Sequence, residues 1–281
     1  MSIGFFIKRN GLLINPQFYQ LLSRYNLIDY DTILNYEKNQ VIKSTKKKRT
    51  IYKLHLLSED PPHSFYLKHY KAPTLKDLIK SFLQLEKPKT ALVELNNIIM
   101  FHFLGIPTSI PVMAGIKRGF LYWGDSLLLT EALLDTVPVD QFIKEKYTPP
   151  IDLKGLIQKR RLIYKIAELT RKMHNEGICH RDLYLCHILI IEKDSRDIDL
   201  FIMDLHRVFR PRWKRIRWIV KDLASLYYSS PREAITNTDY IRFLKHYFGT
   251  EKLTKTHKEL IKKIIKKEKK IRAHDIKRLS R

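Results

Sequence analysis

The sequence predicts an α+β fold in two lobes, a small antiparallel β lobe followed by a mostly helical C-terminal lobe. Three observations carry that expectation. Three short runs, Gln40 to Ser44, Thr50 to Leu57 and Ser64 to Tyr70, are separated by the basic turn Lys46 to Arg49 and the Pro61-Pro62 loop, as in an antiparallel meander. From Val139 onward the pattern becomes helical, most clearly over Leu156 to Glu176, where Leu162, Ile166, Leu169 and Met173 fall on one face. Between Cys179 and His206, Ile188 to Ile191 and Ile198 to Met203 read as two strands joined by the polar turn Lys193 to Asp197.

A chain of 281 residues suits one large domain or one domain of two lobes. Its formal charge of +24, from 53 Lys+Arg against 29 Asp+Glu, predicts attraction to something anionic: nucleic acid, a phosphorylated glycolipid or a bilayer surface. Two cysteines give no disulfide framework. The apolar start is interrupted by Lys8 and Arg9 with no small-residue cleavage site after it, so a signal peptide is not expected. No apolar run approaches the roughly 18 residues that would span a bilayer. The expected location is cytoplasmic.

Taken in order, Asn15-Pro16 opens one or two short helices within residues 15 to 36, an N-cap followed by proline at the first helical position. In the third strand, SFYLKHY, Lys68 sits among large apolar and aromatic neighbours. It is either a solvent-facing strand position or a phosphate ligand in a cleft. Leu75 to Leu85 and Ala91 to Leu104 read as helices, the second closed by Gly105 with Pro107 beyond. Leu92, Leu95, Ile99 and Phe103 form its apolar stripe and Glu94 lies beside it, either solvated or paired with Lys68. Strands Thr108 to Ala114, Gly119 to Trp123 and Ser126 to Glu131 follow. Thr130 to Leu133 is then the crossing between lobes, residues 1–131 forming the N-terminal lobe and 132–281 the C-terminal one.

Beyond the hairpin, Arg210 to Arg217 is a basic segment containing Trp213, and Trp218 to Tyr228 resumes a helix. Asp222 within it is either a surface acid or an anchor for the catalytic loop backbone. The tail, Glu251 to Arg281, carries thirteen Lys/Arg against four acids, with Leu260, Ile261, Ile264, Ile265 and Ile271 as an apolar stripe. A solvated helix face and a membrane or polyanion contact both fit it.

The chemistry concentrates in Cys179 to His206. Asp182 follows His180 and Arg181, and Asp204 stands 22 residues further on, so a hairpin of that length brings both carboxylates to one end. Phosphoryl transfer wants such a pair, one acid to take the proton of an incoming hydroxyl and another to hold Mg²⁺ against nucleotide phosphates. Asp182 fits the first role and Asp204 the second. The alternative is a buried hairpin in which Asp182 merely caps a turn.

The element order resembles a protein kinase-like fold. More narrowly, HRDLYLCHILI, MDLHRV and RWIVKDLASLYYSS resemble the lipopolysaccharide core heptose kinases and their relatives, the bacterial lipopolysaccharide kinase family that includes Kdo kinases, from about Val41 to Phe248. The resemblance implies ATP-dependent phosphorylation of a sugar hydroxyl on the lipopolysaccharide inner core, heptose first with Kdo as alternative, at the cytoplasmic face of the inner membrane. It implies Asp182 as base, Asp204 as the Mg²⁺ ligand, Lys68 as the phosphate-binding lysine and Glu94 as its partner. Glu131 and Leu133 would line the nucleotide at the crossing, with His187 also on the cofactor side. ATP and the core acceptor are the expected partners, with peripheral contact to the inner membrane.

Three departures from the protein-kinase pattern stand out. His187 replaces the second metal-binding Asn, and a neutral imidazole is a poorer Mg²⁺ ligand than an oxygen. His206 replaces the glycine of the DFG motif. No glycine occurs between Gly11 and Gly105, so the turn Ser44 to Arg49 must cover the nucleotide with side chains. Zinc on Cys179, His180, Cys186 and His187 would need four donors from one loop, against the usual two separated pairs; Cys186 is expected to pack. A kinase-like protein that only binds a polyanion is opposed by the presence of both acids. No nucleic acid is expected, since charge without a recognition motif is weak.

Overall fold

The computed structural model describes residues 6–37, 40–45, 49–56, 62–72, 74, 79, 90–117, 124–194 and 197–279. The chain divides into two compact units, Met1–Leu134 and Asp135–Arg281. The expected helix Leu75 to Leu85 apart from Ile79, the strand Gly119 to Trp123 and the middle of the turn Ser44 to Arg49 lie outside the described residues, as does the tip of the turn Lys193 to Asp197.

The first unit is built on a seven-stranded sheet, entirely antiparallel among the described residues. Its strands are β1 (Ile7–Arg9), β2 (Leu12–Ile14), β3 (Gln40–Thr45), β4 (Arg49–Leu56), β5 (His63–Tyr70), β6 (Pro111–Ile116) and β7 (Ser126–Glu131), in the order β1-β2-β6-β7-β5-β4-β3. The meander is therefore β3-β4-β5, within a residue of where the pattern set it. The β1-β2 hairpin was not anticipated, although its signal is present: Asn10 and Gly11 both take positive φ, 51° and 77°, which Asn-Gly accepts in a two-residue hairpin turn.

Strand β7 is the middle of the sheet, with Leu127, Leu128 and Leu129 fully buried. One face meets helices α1 (Pro16–Arg24) and α2 (Tyr30–Leu34) through Leu12, Ile14, Phe18, Leu22, Ile33, Leu67 and Leu129. Asn15 caps α1 by accepting from Gln17 N–H at 3.2 Å, and its amide donates to the Pro111 carbonyl at 3.0 Å, tying helix to sheet. Helix α3 (Ala91–Phe103), capped by Thr90, packs on β5, β6 and β7.

The buried face of α3 is Ala91, Glu94, Leu95, Ile98 and Phe101; of the expected stripe only Leu95 belongs to it, Leu92 and Ile99 being half-buried and Phe103 89% exposed. The helix is apolar almost all round, so spacing alone does not choose a face. The C-terminus chooses it: Gly105 turns at φ +62°, Ile106 N–H donates back to the Phe101 carbonyl at 2.8 Å, and Ile106 is buried, which rolls Phe101 inward.

The second unit contains β8 (Val137–Pro138), α4 (Val139–Tyr147), α5 (Leu153–Asn175), β9 (Ile188–Asp194), β10 (Asp197–Ile202), α6 (Arg215–Ser229), α7 (Asn237–Phe248) and α8 (Lys255–Leu279). The hairpin β9-β10 pairs Ile188 with Ile202 at its open end, and β8 adds a third strand beside β9. Two residues ending in proline offer almost no strand pattern, and an edge is where such a strand is tolerated.

Helix α5 packs on α7, and there Lys159, 5% exposed, donates to Asp239 and to the Ala234 carbonyl, both at 2.7 Å. Asp239 also closes a capping box with Thr236, whose hydroxyl accepts the Asp239 N–H at 3.2 Å. Thr236→Ala should therefore cost about 1 kcal/mol, seen as a lower urea midpoint with an unchanged slope. An unaltered midpoint would mean that the cap contributes nothing.

The basic tail is α8, docked on α6. Ile264 is fully buried and Glu268, 3% exposed, accepts from Arg232 at 3.1 Å and Arg272 at 2.6 Å. Tyr228 donates to Asp275 at 2.5 Å. Part of its apolar stripe thus faces the protein's own interior. Among the described residues no helix is long and apolar enough to cross a membrane.

Candidate active site

In the first unit, Lys68 and Tyr70 stand two residues apart on β5 and so share one face of the sheet. Both reach Glu94 of α3: Lys68 Nζ donates to Oε1 at 2.5 Å, and the Tyr70 hydroxyl donates to Oε2. Glu94 is 1% exposed, so of the two sequence alternatives the ion pair is what is found. A buried carboxylate needs such partners. Burial, with Glu94 beside it, raises the Tyr70 hydroxyl well above its ordinary value, which leaves it a donor. Glu131 ends β7 with its N–H donated to the Ile110 carbonyl at 2.9 Å, and burial raises its carboxyl against the opposing pull of His63. Leu133 follows, half-buried.

In the second unit the loop between Ile178 and Ile188 hangs from Asp222 of α6. Asp222 is fully buried and accepts the backbone N–H groups of His180 at 2.7 Å and Arg181 at 2.8 Å, with His174 Nε2 at 3.3 Å. The anchoring alternative is the one found. His180, also fully buried, bonds through Nε2 to the Met203 carbonyl at 2.9 Å while its Nδ1 accepts the Asp182 N–H at 3.3 Å. One acceptor and one donor nitrogen describe a neutral imidazole, and burial lowers its pKa in agreement. His180 thus joins the loop to the strand end that precedes Asp204.

Asp182 is held by two cations. Arg207 Nη1 donates to its Oδ1 and Oδ2 at 2.9 and 2.6 Å, and Lys221 Nζ to Oδ1 at 3.1 Å. Burial alone would raise the Asp182 carboxyl, but Lys221 and Arg207 outweigh it and hold it below the usual range. Lys221 also donates to the Arg181 carbonyl. Consecutive residues of α6 therefore grip the loop, Asp222 its backbone and Lys221 its acid.

The second acid closes the hairpin. Asp204 sits in the left-handed region at φ 59°, and Arg181 does so at 73°, both non-glycine residues of the kind that cluster at functional sites. His206 Nδ1 bonds to Asp204 Oδ1 at 2.7 Å. His187 Nδ1 lies 2.8 Å from the Asp182 carbonyl and its Nε2 3.9 Å from Asp204 Oδ2, so a single imidazole stands between the two aspartates. Burial would lower its pKa, but hydrogen bonds to Cys186 and the Asp182 carbonyl, with the charges of Cys186 and Asp204, push it up to about 9.

Asp182, His187 and Asp204 are thus brought together within the second unit, and Lys68 with Glu94 in the first. The reading of the chain missed Arg207 and Lys221 as partners of Asp182; the dipeptide Lys221-Asp222 was its only trace. The Arg181 guanidinium lies over the rings of Trp218 and Phe209 at 5.0 and 5.5 Å. Cys186 is exposed instead of packed, because the short helical turn Leu185–His187 points Leu185 inward and its neighbour out. The nitrogens of His180 and the Nδ1 of His187 are engaged with backbone groups, which removes the basis for zinc there.

A lysine–glutamate pair on an antiparallel sheet, an anchored His-Arg-Asp loop and an aspartate closing the following hairpin define a kinase-like phosphotransferase. The chain belongs to the lipopolysaccharide kinase (Kdo/WaaP) family, whose model matches residues 34–247. It is 36% identical over 191 residues to lipopolysaccharide core heptose(I) kinase WaaP of Escherichia coli, a match covering 66% of this chain and 71% of that protein. To WaaP of Pseudomonas aeruginosa it is 31% identical over 199 residues, covering 69% of this chain and 72% of that one. Its fold is similar to a solved structure of WaaP in complex with acyl carrier protein, with a TM-score of 0.70 at 23% identity over 92% of this chain and 98% of that one. The protein is accordingly a kinase, and its family implies ATP as donor.

Proposed function

We propose that this kinase phosphorylates a heptose hydroxyl of the lipopolysaccharide core, with Asp182 as the residue that meets the acceptor. The observation that carries the reading is the state of Asp182: ionised, held by Lys221 and Arg207, and linked through His187 to Asp204. An ionised carboxylate accepts at about four sites, and the two cations make three contacts, so capacity remains for an incoming hydroxyl. A carboxylate held this low is a weak base. It suits a transfer in which the acceptor needs orientation more than early deprotonation, as in the loose transition states of phosphoryl transfer.

Asp204 offers a hard oxygen and fits Mg²⁺; His187, whose Nδ1 bonds to the Asp182 carbonyl at 2.8 Å, fits a hydrogen-bonding role beside the loop instead of a metal ligand. Bound ATP would supply the phosphoryl group, and Mg²⁺ on Asp204 would screen its charge. Lys68, aimed by Glu94, would contact the phosphates, while Glu131 and Leu133 would border the base. The acceptor's lipid and the chain's +24 charge favour peripheral attachment at the cytoplasmic face of the inner membrane.

Purified protein with labelled ATP and core oligosaccharide, followed by mass spectrometry, tests the proposal. One phosphate on a heptose is expected; phosphate on Kdo would replace heptose by Kdo as the acceptor, and no transfer to either would overturn it. Asp204→Ala should remove Mg²⁺-dependent ATP affinity in calorimetry, and Lys68→Met should raise the KM for ATP about tenfold. Unchanged metal dependence in the first would take Asp204 out of that role.

A further inference from the structure

Beside Asp182, within the second unit, lies an open groove of about 430 Å³ whose lining includes Arg181, Arg207, Arg217, Lys221, Lys263 and Lys267. No acidic side chain lines it among the described residues. Arg207 and Lys221 are the two cations that hold Asp182, so the groove begins where the acid stands. Further along, Arg217, Lys263 and Lys267 pair with no acid among the described residues.

Beyond the two cations that Asp182 balances, Arg217, Lys263 and Lys267 repel each other, and a protein gains nothing in stability by gathering them. Arrangement points to a ligand as well. Trp218 is held edge-on by Phe209 at 5.1 Å and carries the guanidiniums of Arg181 and Arg217 at 5.0 and 5.3 Å from its ring. Such contacts order a guanidinium without cancelling its charge. Arg207 Nε is buried and, among the described residues, has no acceptor, although a donor out of water normally finds one. The volume suits a saccharide-sized ligand.

We propose that this groove is the anion subsite of the acceptor, holding a carboxylate or phosphate on a sugar adjoining the one that is phosphorylated. The proposal rests on the reading of Asp182 as the residue that meets the acceptor. It deepens that reading in one respect: the acceptor is recognised by an acidic neighbour of its reacting sugar, and Lys221 and Arg207 couple that recognition to the acid.

The test compares full-length wild type with Lys263→Glu/Lys267→Glu and with Lys269→Glu/Lys270→Glu, a control that makes the same charge change on exposed positions of α8 outside the groove. Each is given soluble acidic core oligosaccharide and the same oligosaccharide after carboxyl esterification and phosphatase treatment. Binding is read by calorimetry and transfer by kinetics. The groove variant should bind the acidic oligosaccharide about tenfold more weakly and show a matching rise in its KM. Its KM for ATP, and its KM for the neutralised oligosaccharide, should stay at wild-type values.

Equal affinity of variant and wild type for the acidic form would overturn the proposal. So would a rise in the KM for ATP, which would give the groove to the nucleotide. Weakening seen only on phosphatidylglycerol vesicles, and not with soluble oligosaccharide, would assign it to a lipid headgroup and likewise overturn it. Charge-dependent binding without transfer would keep the groove and overturn the functional reading; transfer without charge dependence would do the reverse. If the double variant does not fold, Arg217→Ala in the same assays decides the matter.

Discussion

Asp182→Asn is expected to lower kcat about 10³-fold with ATP affinity and fold retained. The substitution keeps the shape of the side chain and removes the proposed proton acceptor, leaving Arg207 and Lys221 beside a neutral amide. A rate within tenfold of wild type would show that another group takes the proton. The pH profile gives an independent check. Lys221 and Arg207 hold the Asp182 carboxyl down against burial, so the acid limb of kcat/KM should lie below the ordinary carboxylate value of about 3.9. Lys221→Met should move that limb upward. The same shift has a sign in stability: a depressed folded-state pKa contributes stability above the unfolded-state pKa, lost as pH falls through the folded one. Acid unfolding of Asp182→Asn should therefore lack this component.

Asp222→Ala should be the most damaging change away from the reacting atoms. It removes the acceptor of two backbone N–H groups and of His174 in a fully buried setting. Orphaned donors of that kind cost about 1–3 kcal/mol each, enough to lower the melting temperature by roughly 10 °C. Activity should fall about 100-fold, since the loop that presents Asp182 loses its support. Asp222→Asn, which keeps one acceptor oxygen, should fall between. Wild-type turnover in Asp222→Ala at a temperature where it is folded would refute the anchoring role.

These two residues also show how differently the parts of the site could be read from the chain. Asp182 and Asp204 announce themselves, because a tripeptide, a hairpin of defined length and a terminal acid must occur in that order for both carboxylates to share one end. Local patterns of the same kind set the meander β3-β4-β5, the long helix α5 and the Asn15 cap, each the outcome of contacts between residues near in sequence. Glu94 was different. Its helix is apolar on nearly every side, so only the sheet beneath it and the turn at Gly105 decide that Glu94 and Phe101 face inward while Phe103 faces water.

What the linear order determined is the meander, the long helix, the central hairpin and the kinase-like class, because periodicity and motif spacing are properties of neighbouring residues. Only the tertiary structure decided that Lys221 and Arg207 hold Asp182, that Asp222 carries the loop and that α8 docks part of its apolar stripe on α6. Those contacts join residues 25 to 47 positions apart. Their energy exists only once burial has removed competing water, and no spacing along the chain encodes which distant cation will be there.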